Sequence, residues 1–421
     1  MNRIKTVSNL IALSTLLALT LPLQAEQISV DRKEYENLKK AVEYLMIQQK
    51  QAMETATRAE EKADEANVIA NATADVVEDS PLDAFEGISL GGYGEVHYNN
   101  LEADDSEHDV EEADLHRFVV FIGKEFNDDL RFVSEFEIEH GGVEADGEPL
   151  DGEVEVEQAY IEYDVSNNSQ VRGGVFLLPT GIINETHEPP TFYGVERNDV
   201  ENVIIPATWW EAGVGGSHHW NNGLSADLAL TTGLNIPSTG GNRGRIRSGR
   251  QKVSNANASN LAYTGRLKYT GIQGLELAAS INHQTDASQD DDENNDFIEE
   301  ATLYSLHAAY SRGAFGLRAL YAEWDIDGDI KNLAGDPDEQ FGWYVEPSYK
   351  PLDWLGLYAR YEEVEGIRIQ DQFSQWEVGA NWWPHKDVVV KFDYRDRSHD
   401  PEAKADGRDF DGFDLGVGYM F

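Results

Sequence analysis

The sequence predicts an all-β fold: a 16-stranded antiparallel transmembrane β-barrel, preceded by an N-terminal periplasmic α-helical coiled coil. Three observations predict it. Phe413, Leu415, Val417, Tyr419 and Phe421 alternate strictly, with Asp414 and glycines on the opposite face, as in a closing barrel strand. From Gly87 onward, period-2 segments are joined by connections that alternate short and long. Ahead of them, residues 31–80 lack Gly and Pro and carry a heptad pattern.

Taken in order, residues 1–25 read as an export signal. Arg3 and Lys5 precede an apolar run from Leu10 to Leu21, and Leu23-Gln-Ala25 is a cleavage site. The apolar run is shorter than the about 20 residues of a spanning helix. Residues 26–80 form the second unit. Tyr35, Leu38, Val42, Leu45, Gln49, Ala52, Ala56, Ala59, Ala63, Ala66, Ala70, Thr73 and Val77 fall at heptad a and d positions. A coiled coil there needs helices from other chains, whereas the alanine-rich half buries little area. A single solvated helix or a polar linker is the other reading.

Residues 87–421 form the barrel. Its strands include Leu130–Ile138, Leu355–Tyr361 and Val388–Tyr394, with Trp376, Val378, Ala380 and Trp382 on one outward face. Short turns fall at 126–129, 166–169, 220–223, 271–274, 311–313, 350–353 and 384–387, rich in Asn, Asp and Gly. Long loops fall near 99–113, 141–153, 179–208, 233–258, 285–297, 325–338, 366–372 and 398–411. Turns at one rim and loops at the other suit an outer-membrane barrel better than a soluble sandwich.

Bulk composition excludes several classes. Lys+Arg number 33 against 78 Asp+Glu, a net charge of −45, so nucleic acid is not an expected partner. Cysteine is absent, which removes disulfides and thiolate metal sites. No Walker-type loop is present. Gly87-Ile-Ser-Leu-Gly91 has the letters of a hydrolase nucleophile elbow, but alternating residues follow it rather than a helix. No enzyme, cofactor or metal centre is expected. Glu185-Thr-His187 is open to metal binding or to loop hydrogen bonding, and His218-His219 points to opposite faces of a strand.

With apolar residues outward, the lumen wall receives Arg131, Glu135, Glu137, Arg266, Lys268, Arg318, Arg360, Glu362, Glu377, Lys391, Asp393 and Arg395. Such charges suit a water-filled interior. They either set a transverse field or brace the wall as salt bridges. The loop 179–208 mixes Ile182, Ile183, Phe192, Tyr193, Ile204 and Ile205 with charge, so it should pack rather than float. Folded into the barrel, it would place Glu185, His187, Glu188, Glu196, Arg197, Asp199 and Glu201 at a constriction. Packed outside, it would be a rim lid. Arg243, Arg245, Arg247, Arg250 and Lys252 form a basic loop that either attracts anions or pairs with acidic loops. The acidic loops read as solvated charge, or as divalent-cation bridges to lipopolysaccharide.

The stretch Phe176–Asn198, with Trp209-Trp-Glu-Ala-Gly213, resembles the porins grouped with phosphate-selective porins O and P. Further likeness lies at 246–253, 317–322, 342–349 and the last strand. The resemblance implies a 16-stranded barrel, a homotrimer and an inward third loop. The family's phosphate-specific members carry a ladder of arginines and lysines, which is not traceable here. The expected function is passive diffusion of small hydrophilic or charged solutes or ions across a Gram-negative outer membrane, with lipid bilayer and lipopolysaccharide as surroundings. The alternative is a barrel-anchored tether whose coiled coil reaches the periplasm or cell wall.

Overall fold

The computed structural model describes residues 86–145, 148–149, 152–289, 297–328, 339–401, 404 and 406–421. The expected signal and coiled coil at 1–80 and the acidic run Asp290–Glu293 lie outside these residues. Residues Gly87–Phe421 form one compact unit.

Sixteen strands close into an antiparallel barrel. Numbered along the chain, they are β1 (Ile88–Ala103), β2 (Val110–Asn127), β3 (Leu130–Glu139), β4 (Val154–Ser166), β5 (Ser169–Leu177), β6 (Trp210–His219), β7 (Leu224–Thr232), β8 (Leu261–Ile272), β9 (Leu275–Gln284), β10 (Ala301–Arg312), β11 (Phe315–Ile326), β12 (Glu339–Leu352), β13 (Leu355–Glu365), β14 (Gln372–His385), β15 (Val388–His399) and β16 (Phe410–Met420). Each pairs with its sequence neighbour, and β1 pairs with β16 from Tyr93↔Met420 to Ala103↔Phe410. Closure removes both edges of this sheet, so none of these sixteen strands is left with an open row of backbone groups.

The side chains follow the alternation that the sequence shows. Leu415 and Val417 of β16 are exposed outward, whereas Asp414, next to Leu415, is fully buried inward. Trp376, Val378 and Trp382 of β14 are likewise exposed. The polarity is inverted relative to a soluble protein: Leu90, Leu228, Leu306 and Phe315 face out, while Glu95, Arg117, Arg360, Lys391 and Asp393 are buried. The short turns sit where the sequence places them. At one, Gly274 has φ +79°, and an added Cβ would lie 2.1 Å from the Ser311 carbonyl oxygen, so only glycine fits.

Two expectations shift in detail. The first long loop is confined to residues 104–109, because β1 runs to Ala103 and β2 begins at Val110. Those strand ends carry polar residues on both faces, which erases the alternation without breaking the hydrogen-bond ladder. β-bulges also interrupt the registers of β2 and β4, and both matter for the interior.

Candidate functional site: the charged interior

Residues 178–209 leave β5 and return to β6 through a closed neck. The Leu178 amide donates to the Trp209 carbonyl at 3.0 Å. Asn184 clamps the neck, donating to the Leu178 and Trp209 carbonyls at 2.8 and 3.1 Å and accepting from the Trp209 amide at 2.6 Å.

The segment packs on buried side chains from several strands. Phe176, Leu178, Val200, Ile204, Ile205 and Trp209 join Leu234, Ile246, Phe297, Leu320, Trp324 and Tyr344 in one apolar cluster. That burial removes the segment's apolar surface from water, the reason such a loop cannot float. Polar anchors come from other strands. Arg318 donates to the Thr191 carbonyl at 2.8 Å, and Lys391 to the Gly194 carbonyl at 2.7 Å. The Val195 amide donates to Asp393 at 2.7 Å, and the Asp199 amide to Glu362 at 2.8 Å.

The predicted loop residues divide among four places. Glu196, Arg197, Asp199 and Glu201 border a cavity of about 460 Å3 together with side chains of β1, β2, β15 and β16. Its lining holds seven carboxylates, five arginines and three histidines. Of these, Glu201 is 1 % exposed and serves mainly as a brace. It accepts from the Ile182 and Ile183 amides at 2.5 and 2.7 Å, from Asn198 at 3.1 Å and from the Tyr344 hydroxyl at 3.0 Å. Glu185 lies elsewhere, paired with Arg266, which also binds Asp227 at 2.9 Å. His187 is buried against Glu135 and Glu157 of β3 and β4. Burial, with Arg197 nearby, pushes its imidazole down to about 4. Glu188 gives its backbone carbonyl to the Thr191 hydroxyl at 2.7 Å.

Glu196 meets the wall at His97 and Asn99, at 3.0 and 3.1 Å. Burial pushes its carboxyl up, but the His97 imidazole outweighs burial and holds it well below the usual carboxylate range. His97 stacks on His116 with ring centroids 4.4 Å apart. The bulge in β2 explains why His116 and Arg117, consecutive in sequence, both border the cavity. Sequence reading missed Glu95, His97, Asp114, His116, Arg117 and His140, all of which line it.

The wall bases of the later strands each have a partner. Arg360 binds Glu346 at 3.2 Å and Glu377 at 2.5 Å; Arg395 binds Asp414 at 2.5 Å; Arg397 pairs with Asp199. Lys391 also lies over the Phe192 ring, 3.6 Å from its centroid. Among the earlier strands, Arg131 chelates Glu162 and Asp164, Glu137 meets Arg117 at 3.4 Å, and Lys268 reaches Glu276 at 4.0 Å. Acids and bases therefore interleave locally.

The basic loop is spent within the protein. Arg247 donates to the Asn202 and Ala207 carbonyls and Arg250 to that of Thr208. Arg243 lies over Phe297, Arg245 is 3.9 Å from Asp371, and Lys252 pairs with Glu153 and Glu155.

Residues 89–421 match the family described as phosphate-selective porin O and P. The chain belongs to that family. An uncharacterized protein of Aquifex aeolicus (strain VF5) is 29% identical over 374 residues, covering 80% of each chain. Solved structures with the same fold include the anion-selective porin from Comamonas acidovorans, 13% identical, with a TM-score of 0.54, covering 79% of this chain and 99% of that one. Salmonella typhi OmpF in complex with daunomycin is 18% identical, with a TM-score of 0.54 and coverage of 79% and 97%. The outer membrane channel DcaP of Acinetobacter baumannii is 16% identical, with a TM-score of 0.52 and the same coverage. At these identities the structures establish a shared porin barrel, while family membership supports an outer-membrane channel role for this chain.

Proposed function

We propose that this porin is a passive diffusion channel for small hydrophilic or charged solutes, with residues 178–209 narrowing its water-filled lumen. One observation carries the reading: a closed barrel with an apolar exterior and a charged interior has a folded loop packed on its inner wall. Glu196, Arg197 and Asp199 face β1, β2, β15 and β16 across the cavity, where charge sets ion preference. The arginines bordering it are held by carboxylates or carbonyls. An unpaired basic ladder would favour phosphate; paired arginines do not. We therefore assign a general channel without phosphate preference.

The barrel's exposed apolar band is proposed to span the outer membrane, next to lipopolysaccharide, as a homotrimer. Residues 1–25 are proposed as its export signal and 26–80 as a periplasmic coiled coil. Planar-bilayer recording of the full mature chain tests the channel. Stable open steps, with similar permeability to chloride and phosphate after correction for mobility, are expected. Silence from folded, inserted protein would overturn the reading. Deleting residues 26–80 should leave the conductance steps intact. Native-state mass measurement in detergent tests the trimer.

A further inference from the structure

A deeply buried charge cluster lies where the loop meets the wall at β3 and β4. Glu135, Glu157 and His187 are all buried, and one ligand-capable atom from each falls within 4.8 Å of the others. His187 Nε2 is 3.3 Å from a Glu135 oxygen and 3.8 Å from a Glu157 oxygen. Metal bonds of about 2.0–2.2 Å in a tetrahedron separate ligand atoms by roughly 3.3–3.6 Å. The observed separations bracket that range.

Three further observations point to a cation. Glu157 is 1 % exposed, and neither of its carboxylate oxygens has a hydrogen-bond partner. A buried carboxylate left in that state is costly. His187 Nδ1 lies 3.2 Å from the Asn184 carbonyl, which can only accept; a proton on Nδ1 satisfies that contact and turns the Nε2 lone pair toward the two carboxylates, where a cation would sit. That is the arrangement by which an outer partner fixes a metal-ligating histidine. Glu135 is in turn held by Gln158, which donates to its other oxygen at 2.7 Å.

The backbone delivers the third ligand deliberately. Glu135 faces Gln158, but Phe136 faces Val156, so Glu157 is the extra residue of a bulge. A bulge re-aims its side chain at the expense of a ladder position. Here it sends a second acidic group into a place already occupied by one.

We propose that Glu135, Glu157 and His187 bind a divalent transition-metal cation of the zinc type, tying residues 178–209 to β3 and β4. One imidazole and two carboxylates suit zinc better than calcium or magnesium, which favour all-oxygen sets. In the sequence, His187 stands beside Glu185, but the fold sends Glu185 to Arg266 and brings His187 to Glu135 and Glu157.

The test uses the full mature chain in detergent, stripped with a chelator and titrated with ZnCl2 by calorimetry. We expect one tight Zn2+ per chain, with greater hydrogen-exchange protection of residues 178–209 when Zn2+ is bound. Glu157→Gln should weaken uptake at least tenfold and abolish the added protection. His187→Asn, which leaves every strand untouched, should do the same and decides the matter if Glu157→Gln does not refold. Asp114→Asn with His140→Ala, at the exposed histidine cluster, should leave this uptake unchanged. The proposal is overturned by stripped protein that takes up no stoichiometric Zn2+. It is equally overturned by undiminished uptake in a folded Glu157→Gln or His187→Asn variant, or by loss of uptake in the Asp114→Asn/His140→Ala control.

Discussion

Glu201→Ala should release residues 178–209 from the wall while leaving the barrel closed. The Glu201 carboxylate accepts four hydrogen bonds, two from loop amides, one from Asn198 and one from Tyr344 of β12. The neighbouring chain is built around it: Gly181 has φ +67°, and an added Cβ would lie 2.3 Å from a Glu201 oxygen. Alanine orphans four donors, each costing about 1–3 kcal/mol if left dry. These costs overlap, and water enters the space that is left, so a net loss of about 3 kcal/mol in loop docking is expected. That corresponds to a roughly hundredfold rise in the loop-opening equilibrium. Hydrogen exchange at Ile182 and Ile183 reads it directly, because their amides are two of the donors. The strand amides of β13 to β16 should keep their protection. If exchange at Ile182 and Ile183 changes by less than about threefold, the carboxylate is not what holds the loop.

Asp414→Ala strips both Arg395 contacts and the 2.6 Å bond from Asn99; leaving that guanidinium unpaired should cost about 3–5 kcal/mol, read as a lower unfolding temperature on heated gels. Leu228→Arg, at a position 71 % exposed on the outer face of β7, should cost up to about 2–4 kcal/mol in folding into lipid vesicles and little in detergent; equal effects in both would argue against lipid contact there. Because the folded pKa of Glu196 is lowered, its stabilising contribution is complete above the ordinary carboxylate value and drains only as pH falls through the lower folded one. Loop protection, corrected for intrinsic exchange, should therefore hold from pH 7 down to about pH 5, and an earlier decline would point to another group.

The wall was legible because a barrel strand repeats every two residues: Leu415 out, Asp414 in, Trp376 out, Glu377 in. Loop 178–209 was legible as a packed segment because Ile204 and Ile205 have nowhere else to go. Less visible was what each charge does. Glu185, His187 and Glu201 sit in one acidic loop, yet fold to Arg266, to Glu135 and to the loop's own amides. Such partners are distant in sequence, and only the register supplies them. Bulges hide as well, since one added residue in β2 or β4 inverts inside and outside without a compositional mark. That is why His116 and Glu157 went unread.

The seam between β1 and β16 also constrains how the wall is made. Gly92 and Phe421 exchange two hydrogen bonds, each 2.9 Å, so the first hoop stave finds its mate only once the final one has been synthesised. Until that moment two raw selvedges are open to strangers, and the slow, long-range nature of such a pairing prolongs the exposure. Clipping even the closing stave should leave a sticky, unsealed sheet.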